Sequence, residues 1–289
     1  KNAISFIFIG ILVIDLWIVN NEFLSLKNSK SMKNLFIQTH DIKYLNADSS
    51  AYRIFPADEI GATKYGYWNI QSIGGYHAIK LRHYQDLMDI GGFRRQVILN
   101  MLNVKYIITT KKIENKAFKK IKGNNNLYEN LDVLPRSWVV GGIKSVKSQK
   151  SSLLSIMDMS FRPSETAIVL DYDGPDLINY EDGNSKIIKN SPNEIIINCK
   201  TIGGGLLVLS EVYYSPGWKC KVDGIPSDIY QTNHILRSVF VPDGEHEVIF
   251  YYDDSNWVFA KIVSRTSFFS TILILCFLFY RDRKSIIRL

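Results

Sequence analysis

The two ends of the chain are apolar, and the long region between them is mixed. Residues 3–19 carry a single charge, Asp15, and approach the length of about 20 apolar residues that a membrane-spanning helix needs. Residues 268–280 are uncharged, and the apolar character extends back to Trp257 with only two cations, which can reach the interface. We therefore predict transmembrane helices over 1–20 and 257–280, followed by a tail over 281–289.

Each apolar end has an alternative interpretation. A signal peptide ends in a small-residue cleavage site, but the DLWIVNNEFL that closes the first run offers none. A buried core helix could account for residues 268–280, because an apolar run of that length alone is compatible with one. The basic tail, RDRKSIIRL, favours a cytoplasmic position for the C-terminus. The start at Lys1 rather than Met leads us to expect a chain that was cut upstream.

The region between the helices divides by its pattern of short elements. Mixed helix and strand patterns over 45–165 are typical of a small α/β domain, with a strand at 52–56 and a helix from Ala78 to Asp89. From 166 to 254, short apolar runs alternate with turn residues, which is typical of an antiparallel β-sandwich. Residues 25–34 indicate a polar linker. The predicted fold is thus α+β and membrane-anchored: a small α/β domain followed by an antiparallel β-sandwich, flanked by two transmembrane helices.

Composition narrows the function classes only a little. The net charge of +7 is spread along the chain, and residues 20–256 are predicted to lie outside the cell, so we expect no nucleic-acid partner. Cys199 and Cys220 could pair in an oxidising compartment, although two free buried thiols are the favoured interpretation. The lysines of residues 111–122 could meet anionic lipid headgroups, but a solvated loop is the favoured interpretation.

The stretch SIGGYHAIKLRHYQDL, residues 72–87, contains the first candidate site. On a helix that begins at Ala78, His77 and Lys80 share the apolar side, where a lysine must pair with a carboxylate or meet a ligand. Gly74 and Gly75 expose amide groups just before the helix, where an anion is favoured. We predict a phosphate or sugar pocket formed by Ser72, Gly74, Gly75, Tyr76, His77, Lys80 and Tyr84. The alternative is a helix that docks on its own domain or on the membrane-embedded part, without binding a ligand.

A second candidate is aromatic. Tyr214 and Trp218 flank a Pro-Gly turn and could stack on sugar rings, although such residues also build ordinary sandwich cores. The sequence offers no metal site, because His77 and His83 are six residues apart and no H-x-x-x-H or C-x-x-C spacing occurs. Acidic pairs such as Asp253-Asp254 are typical of turns, so we identify no catalytic residue.

Several sequence segments resemble, in the same order, segments of the C-terminal part of YfhO-type bacterial membrane proteins. They include the 72–87 stretch, LNMLNVKYII, LPRSWVV and LLVLSEVYYSPGWKCKVDG. The resemblance spans nearly the whole chain, including both apolar ends. It implies a multi-pass parent in the bacterial cytoplasmic (inner) membrane, of glycosyltransferase C-type architecture, with residues 20–256 extracytoplasmic. Such enzymes transfer a sugar from a polyprenyl-phosphate carrier to a cell-envelope glycan.

The resemblance also limits what this chain can do alone. The catalytic acidic residues that it implies belong to an early extracytoplasmic loop that these residues do not include, so no catalytic residue is carried over. It implies an accessory role without a cofactor, with membrane lipid, the polyprenyl-phosphate sugar, an envelope glycan acceptor and the rest of its own membrane domain as partners. The alternatives are a non-enzymatic, membrane-tethered glycan- or protein-binding module and part of a lipid-linked sugar transporter.

Overall fold

The computed structural model describes residues 2–24, 36–124 and 126–286. In chain order the helices are α1 (Asn2–Phe23), α2 (His40–Ala47), α3 (Arg82–Asp89), α4 (Gln96–Met101), α5 (Gln149–Ile156) and α6 (Ser255–Ile286). The strands are β1 (Arg53–Pro56), β2 (Val104–Ile108), β3 (Phe118–Lys120), β4 (Leu127–Asn130), β5 (Ser137–Val140), β6 (Gly142–Val146), β7 (Thr166–Leu170), β8 (Asp182–Ser191), β9 (Glu194–Ile202), β10 (Gly205–Val212), β11 (Trp218–Val222), β12 (Ile225–Ser227), β13 (Tyr230–Thr232), β14 (Leu236–Val241) and β15 (Gly244–Tyr252). Two short 3-10 helices cover Lys64–Trp68 and Gly92–Arg94.

The two terminal helices are long and apolar enough to cross a membrane. The apolar stretches run from Ala3 to Phe23 in α1 and from Ser255 to Arg281 in α6, and neither is buried against the rest of the protein. A core helix of this composition would be covered by other elements, and these two are not. The predicted tail continues α6 as far as Ile286, and the predicted linker, 25–34, lies outside the described residues.

A four-stranded sheet forms the N-terminal part of the extramembrane region. Its order is β1-β2-β4-β3, with β1 parallel to β2 and the other pairs antiparallel. The predicted strand at 52–56 is β1. One face of the sheet packs on α2 through Ile42 and Leu45, which are buried with Ile54 and Leu127.

A six-stranded sheet lies at the centre of the molecule, in the order β5-β10-β14-β13-β7-β6. Its strands are buried on both faces: Leu206 and Val208 of β10 contact the helical side, whereas Leu207 and Leu209 face the opposite core. This explains why the sequence of β10 is a continuous apolar run rather than an alternation of apolar and polar residues. The sheet contains β5 and β6 as well as β7, so it crosses the predicted domain boundary at 165–166.

A five-stranded antiparallel sheet, β12-β11-β15-β9-β8, covers the other face of the central sheet. The shared core includes Leu207, Val239, Ile197 and Phe250, so the two sheets form the sandwich-like arrangement that the alternating pattern predicts. The turn between β11 and β12 has positive φ at Asp223 (50°) and Gly224 (80°), as a two-residue hairpin of this hand requires.

The predicted start of the helix at Ala78 is wrong. The helix α3 begins at Arg82, after an extended Leu81 (φ −66°, ψ 130°). The amide of Ile79 donates to Nδ1 of His77 at 3.0 Å, and this local bond competes with helix formation. His77 and Lys80 are exposed and precede the helix, so they do not share an apolar helical face.

The structure also places the cysteines. Cys199 and Cys220 are buried and free, on strands β9 and β11 that are separated by β15. Burial raises the pKa of each thiol to about 12, so both remain protonated and unreactive at neutral pH.

Candidate functional site

Seven of the predicted site residues line one cavity of about 430 Å³. They are Ser72, Gly74, Gly75, Tyr76, His77, Lys80 and Tyr84. The other walls are largely apolar and come from α3, the end of α4 and the ends of β10 and β14. They include Met88, Leu102, Val212 and Leu236. The cavity can therefore accept an apolar group along much of its wall.

The backbone of the 72–75 loop is held against β1. The amide of Ile54 donates to the Gln71 carbonyl at 2.8 Å, and the amide of Ile73 returns to the Ile54 carbonyl at 3.0 Å. A Cβ at Gly74 would lie 2.4 Å from the Ile60 carbonyl oxygen, so only glycine allows this close approach.

The glycine amides are not available for the predicted anion. The Gly74 amide donates to Ser72 Oγ at 3.0 Å, and the Gly75 amide donates to the Ile60 carbonyl at 2.6 Å. Because α3 begins seven residues after Gly75, at Arg82, its N-terminus does not act on these groups either. The loop shapes the cavity, but it does not supply the anion-binding groups that the sequence suggested.

Tyr84 and Lys80 occupy different parts of this cavity. The Tyr84 hydroxyl donates to the Ile73 carbonyl, and burial raises the pKa of this phenol well above its usual range. Lys80 Nζ lies 5.9 Å from the ring centroid of Tyr76, and both side chains are exposed. Tyr84 is thus a fixed wall, whereas Lys80 and Tyr76 lie at the mouth.

A cluster of arginines lies next to this cavity, and the sequence analysis missed it. Glu211 of β10 accepts from two of them: Arg53 Nη2 lies 3.0 Å from Oε2, and Arg136 Nε lies 2.8 Å from Oε1. The Arg53 Nη1 group also donates to Ser210 Oγ at 3.0 Å. Both carboxylate oxygens of Glu211 are therefore occupied by buried guanidinium groups.

The third arginine of the cluster, Arg237, is less well satisfied. It is only 4 % exposed, and its Cζ lies 4.2 Å from the ring centroid of Trp218. Its Nη2 donates to the Val212 carbonyl at 2.9 Å, but Nε and Nη1 have no hydrogen-bond partner among the described residues. Burial lowers the pKa of Arg237 to about 10, although Glu211 opposes this, so the group stays charged at neutral pH.

The arginines line a second cavity, of about 480 Å³. Three arginines (Arg53, Arg136 and Arg237) face one carboxylate there, Glu211, and the remaining lining residues that the structure describes are uncharged. Burial also lowers the pKa of Arg53 to about 10, with Glu211 opposing the shift and Arg136 adding to it. A cavity lined by more cations than anions is suited to a negatively charged ligand.

The predicted aromatic residues belong to this same part of the molecule. Tyr214 and Trp218 line a third cavity of about 330 Å³, and Trp218 and Arg237 line both the second and the third. Arg53 and Ser72 line both the first and the second. The nine residues predicted from sequence therefore lie along three neighbouring cavities, with the arginine cluster in the middle.

The aromatic end of this series lies beside the start of α6. Trp218 pairs with Tyr252 across β11 and β15, and their ring centroids are 5.8 Å apart. The Asp253 amide donates to the Gly217 carbonyl at 2.7 Å, two residues before α6 begins at Ser255. The third cavity is thus adjacent to the apolar C-terminal helix.

Comparison of the chain with models of protein families, with curated proteins and with solved structures finds no match to any of them. The function must therefore be argued from the site itself.

Proposed function

We propose that this chain is the extracytoplasmic region of a membrane-bound glycosyltransferase of the C type, and that its arginine cluster holds the phosphate of a polyprenyl-phosphate sugar. The proposal rests on Arg237, a buried cation with two nitrogen atoms, Nε and Nη1, that lack partners among the described residues. An unsatisfied buried charge destabilises a protein. A ligand that completes its hydrogen bonds would explain why it is there.

A phosphate suits the chemistry of the second cavity. Guanidinium groups bind phosphate through paired hydrogen bonds, and the Trp218 ring contacts the Arg237 guanidinium, with Cζ 4.2 Å from the ring centroid. The first cavity, which shares Arg53 and Ser72 with the second, is mostly apolar. A ligand with a phosphate head and an apolar chain would match both.

The position of the site relative to the terminal helices supports a lipid carrier. The cavity that contains Trp218 adjoins the start of α6, and α6 is long and apolar enough to cross a membrane. In a membrane-anchored chain, the arginine cluster would lie near the bilayer surface, at the depth of lipid phosphates. We place this surface on the outer face of the bacterial cytoplasmic membrane, with residues 20–256 extracytoplasmic.

We assign the chain a binding role and not the chemical step. A general base must have a free oxygen within reach of the acceptor hydroxyl, whereas Glu211 has both oxygens occupied by Arg53 and Arg136. The catalytic carboxylate would come from another part of the parent protein. The envelope glycan acceptor would contact the aromatic end, at Tyr214 and Trp218.

Lipid binding by the full chain in detergent tests this proposal. We would compare a polyprenyl phosphate with the matching polyprenol by native mass spectrometry, in the wild type, in Arg237→Gln and in the control Arg162→Gln, which alters an exposed arginine. We expect the wild type to favour the phosphate, and Arg237→Gln to lose at least about tenfold in affinity, because a hydrogen bond to a charged group contributes about 1.5–3 kcal/mol.

Two results would contradict the proposal: equal binding of the two lipids by the wild type, or an equal loss in the Arg162→Gln control.

A glycan- or protein-binding module is the second candidate, favoured by the exposed rings of Tyr76 and Tyr214. Binding of envelope glycan that persists in Arg237→Gln, without binding of the lipid phosphate, would favour it. A lipid-linked sugar transporter would share the phosphate site, and an assay of sugar transfer by the full-length parent separates it from an enzyme.

A further inference from the structure

Three potential metal ligands meet where α3 packs on the turn between β13 and β14. His83 and Asp86 are three residues apart on α3 and lie on the same side of the helix. His234 comes from the turn, 148 positions further along the chain than Asp86. Their ligand atoms all lie within 4.8 Å of one another, and His234 Nε2 is 3.8 Å from Asp86 Oδ2.

The two histidines have ring nitrogens without partners. His234 is 1 % exposed, and neither Nδ1 nor Nε2 has a hydrogen-bond partner among the described residues; the same holds for the buried Nδ1 of His83. Buried polar atoms in proteins are almost always hydrogen-bonded. Three such atoms beside a single carboxylate therefore call for a ligand.

The turn holds His234 in an unusual backbone conformation. Asn233 and His234 both have positive φ, 48° and 69°, a region that residues with side chains occupy at a cost. Both residues are fully buried, which is uncommon for the turn of a hairpin. The fold thus directs the imidazole of His234 inward, toward α3, instead of leaving the turn in solvent.

Asp86 is already oriented for a shared ligand. Arg82 Nε lies 2.7 Å from Asp86 Oδ1, which leaves Oδ2 as the oxygen nearest His234. Partners that hold one carboxylate oxygen while the other binds the metal are a common feature of metal sites.

We propose that His83, Asp86 and His234 form a binding site for a divalent transition-metal ion, with Zn²⁺ the best match. Two imidazoles and one carboxylate are a frequent ligand set for zinc, and tetrahedral ligands around it lie about 3.3 Å apart. Small rotations of the three side chains would bring the present separations to that value. A fourth position would remain open to water.

The metal would join α3 to the β13–β14 turn. Tyr84 and Met88, on the same helix, line the apolar cavity of the candidate site. A metal at this position would fix the helix without contacting the residues that line that cavity. The metal site therefore does not depend on the function proposed above.

The test uses the full chain in detergent, purified with a tag that contains no histidine and stripped with a chelator. Zn²⁺ content after desalting is measured in the wild type, and Co²⁺ is added separately to record its visible ligand-field bands. The ligand variants are His83→Ala, Asp86→Asn and His234→Asn, in which asparagine preserves tolerance for positive φ. The controls are His77→Ala and His246→Ala, which remove histidines elsewhere.

We expect one Zn²⁺ per chain, intense tetrahedral Co²⁺ bands, and at least a tenfold loss of affinity in each ligand variant, with no change in either control. Zn²⁺ should also raise the unfolding midpoint of the wild type. Two outcomes would overturn the site: no Zn²⁺ retained by the folded wild type, or binding that is equal in the wild type and in His83→Ala. His83 is only half-buried and lies on a short helix rather than in a strained turn, so its variant keeps the test valid should His234→Asn fail to fold.

Discussion

The core between the two large sheets and the arginine cluster at its edge are both buried, but they differ in how their buried groups are satisfied. The core is almost wholly apolar, and its two thiols are protonated and inert. The cluster shares Ile195 and Trp218 with that core, yet it encloses three cations and one carboxylate. The core therefore provides stability, whereas the cluster retains charge at a cost to stability. This contrast is the reason for proposing the cluster as a binding site.

Within the cluster, Arg53 and Arg136 differ from Arg237 in how completely their hydrogen bonds and charges are satisfied. The first two are paired with Glu211 at 3.0 and 2.8 Å, so they are held by the fold itself. Arg237 stacks on Trp218 and keeps two free nitrogen atoms among the described residues. We infer that the paired arginines build the site and that the third one is presented to a ligand.

The largest effect is expected from Glu211→Gln. Removing the carboxylate leaves Arg53 and Arg136 buried without a counter-charge, which should lower the free energy of unfolding by about 3–5 kcal/mol. Denaturant unfolding of the chain in detergent measures this. Glu245→Gln is the control, because Glu245 forms only an exposed pair with Lys200 and should leave the midpoint unchanged. A loss for Glu211→Gln as small as that of the control would mean that the pairing does not hold the cluster together.

A truncation in the apolar core should be almost as damaging but should leave binding intact. Leu207 is fully buried between the sheets, and Leu207→Ala should lower the free energy of unfolding by about 3 kcal/mol, from lost burial and the cavity that remains. Prenyl phosphate affinity, measured at a temperature where the variant is folded, should stay at the wild-type value. A loss of affinity larger than threefold would show that core and cluster are not separable.

The opposite behaviour is expected from Arg237→Met. A buried cation with incomplete hydrogen bonding costs stability, so an apolar side chain of similar length should be neutral or stabilising at this position. We expect the free energy of unfolding to stay within about 1 kcal/mol of the wild type or to rise, as measured in the same denaturant series. Arg136→Met, which breaks a pair with Glu211, is the matched variant and should be clearly destabilised. Equal destabilisation of the two variants would show that Arg237 is as important for the stability of the fold as the paired Arg136.

The smallest effect concerns an ion pair at the surface, far simpler than the cluster. His246 Nδ1 lies 2.6 Å from Asp223 Oδ2. Burial opposes protonation of His246, but its hydrogen bonds to Asp223 and to the Asp243 carbonyl outweigh this effect. They raise the pKa of His246 above its usual value. Its stabilising contribution is therefore present below about pH 6.5 and is lost as the pH rises through the raised pKa.

His246→Gln should consequently lower the melting temperature at pH 5.5 by about 1 °C and by less at pH 8, because pairs at the surface contribute little. Thermal melts at the two pH values measure this. A larger deficit at pH 8 than at pH 5.5 would contradict the assigned direction of the pKa shift.

Local patterns in the sequence predicted much of this architecture. The apolar ends and the β1 strand depend on composition and hydrophobic pattern over a few residues, and the structure confirms both. The start of α3 was misplaced for an equally local reason, since the bond from the Ile79 amide to His77 replaces the first turn of a helix that its neighbours would otherwise favour.

Such local patterns could not predict the arginine cluster or the site formed by His83, Asp86 and His234. Arg53 lies on β1, Arg237 on β14, and Arg136 directly precedes β5. These residues are far apart in sequence, and they meet only because β5 pairs with β10, β10 pairs with β14, and the loop after Gln71 pairs with β1. Strand order over these separations does not follow from periodicity. The one local signal was Arg237 itself, a cation within the apolar run ILRSVFV.

The most direct test of the central claim is the stabilisation that a ligand confers through Arg237. The unfolding midpoint of the chain in detergent would be measured with and without a short prenyl phosphate, in the wild type and in Arg237→Met. We expect a ligand-dependent rise in the wild type and none in Arg237→Met, whose own midpoint should be unchanged or higher. A rise of equal size in both proteins, or none in the wild type, would contradict a phosphate site at Arg237.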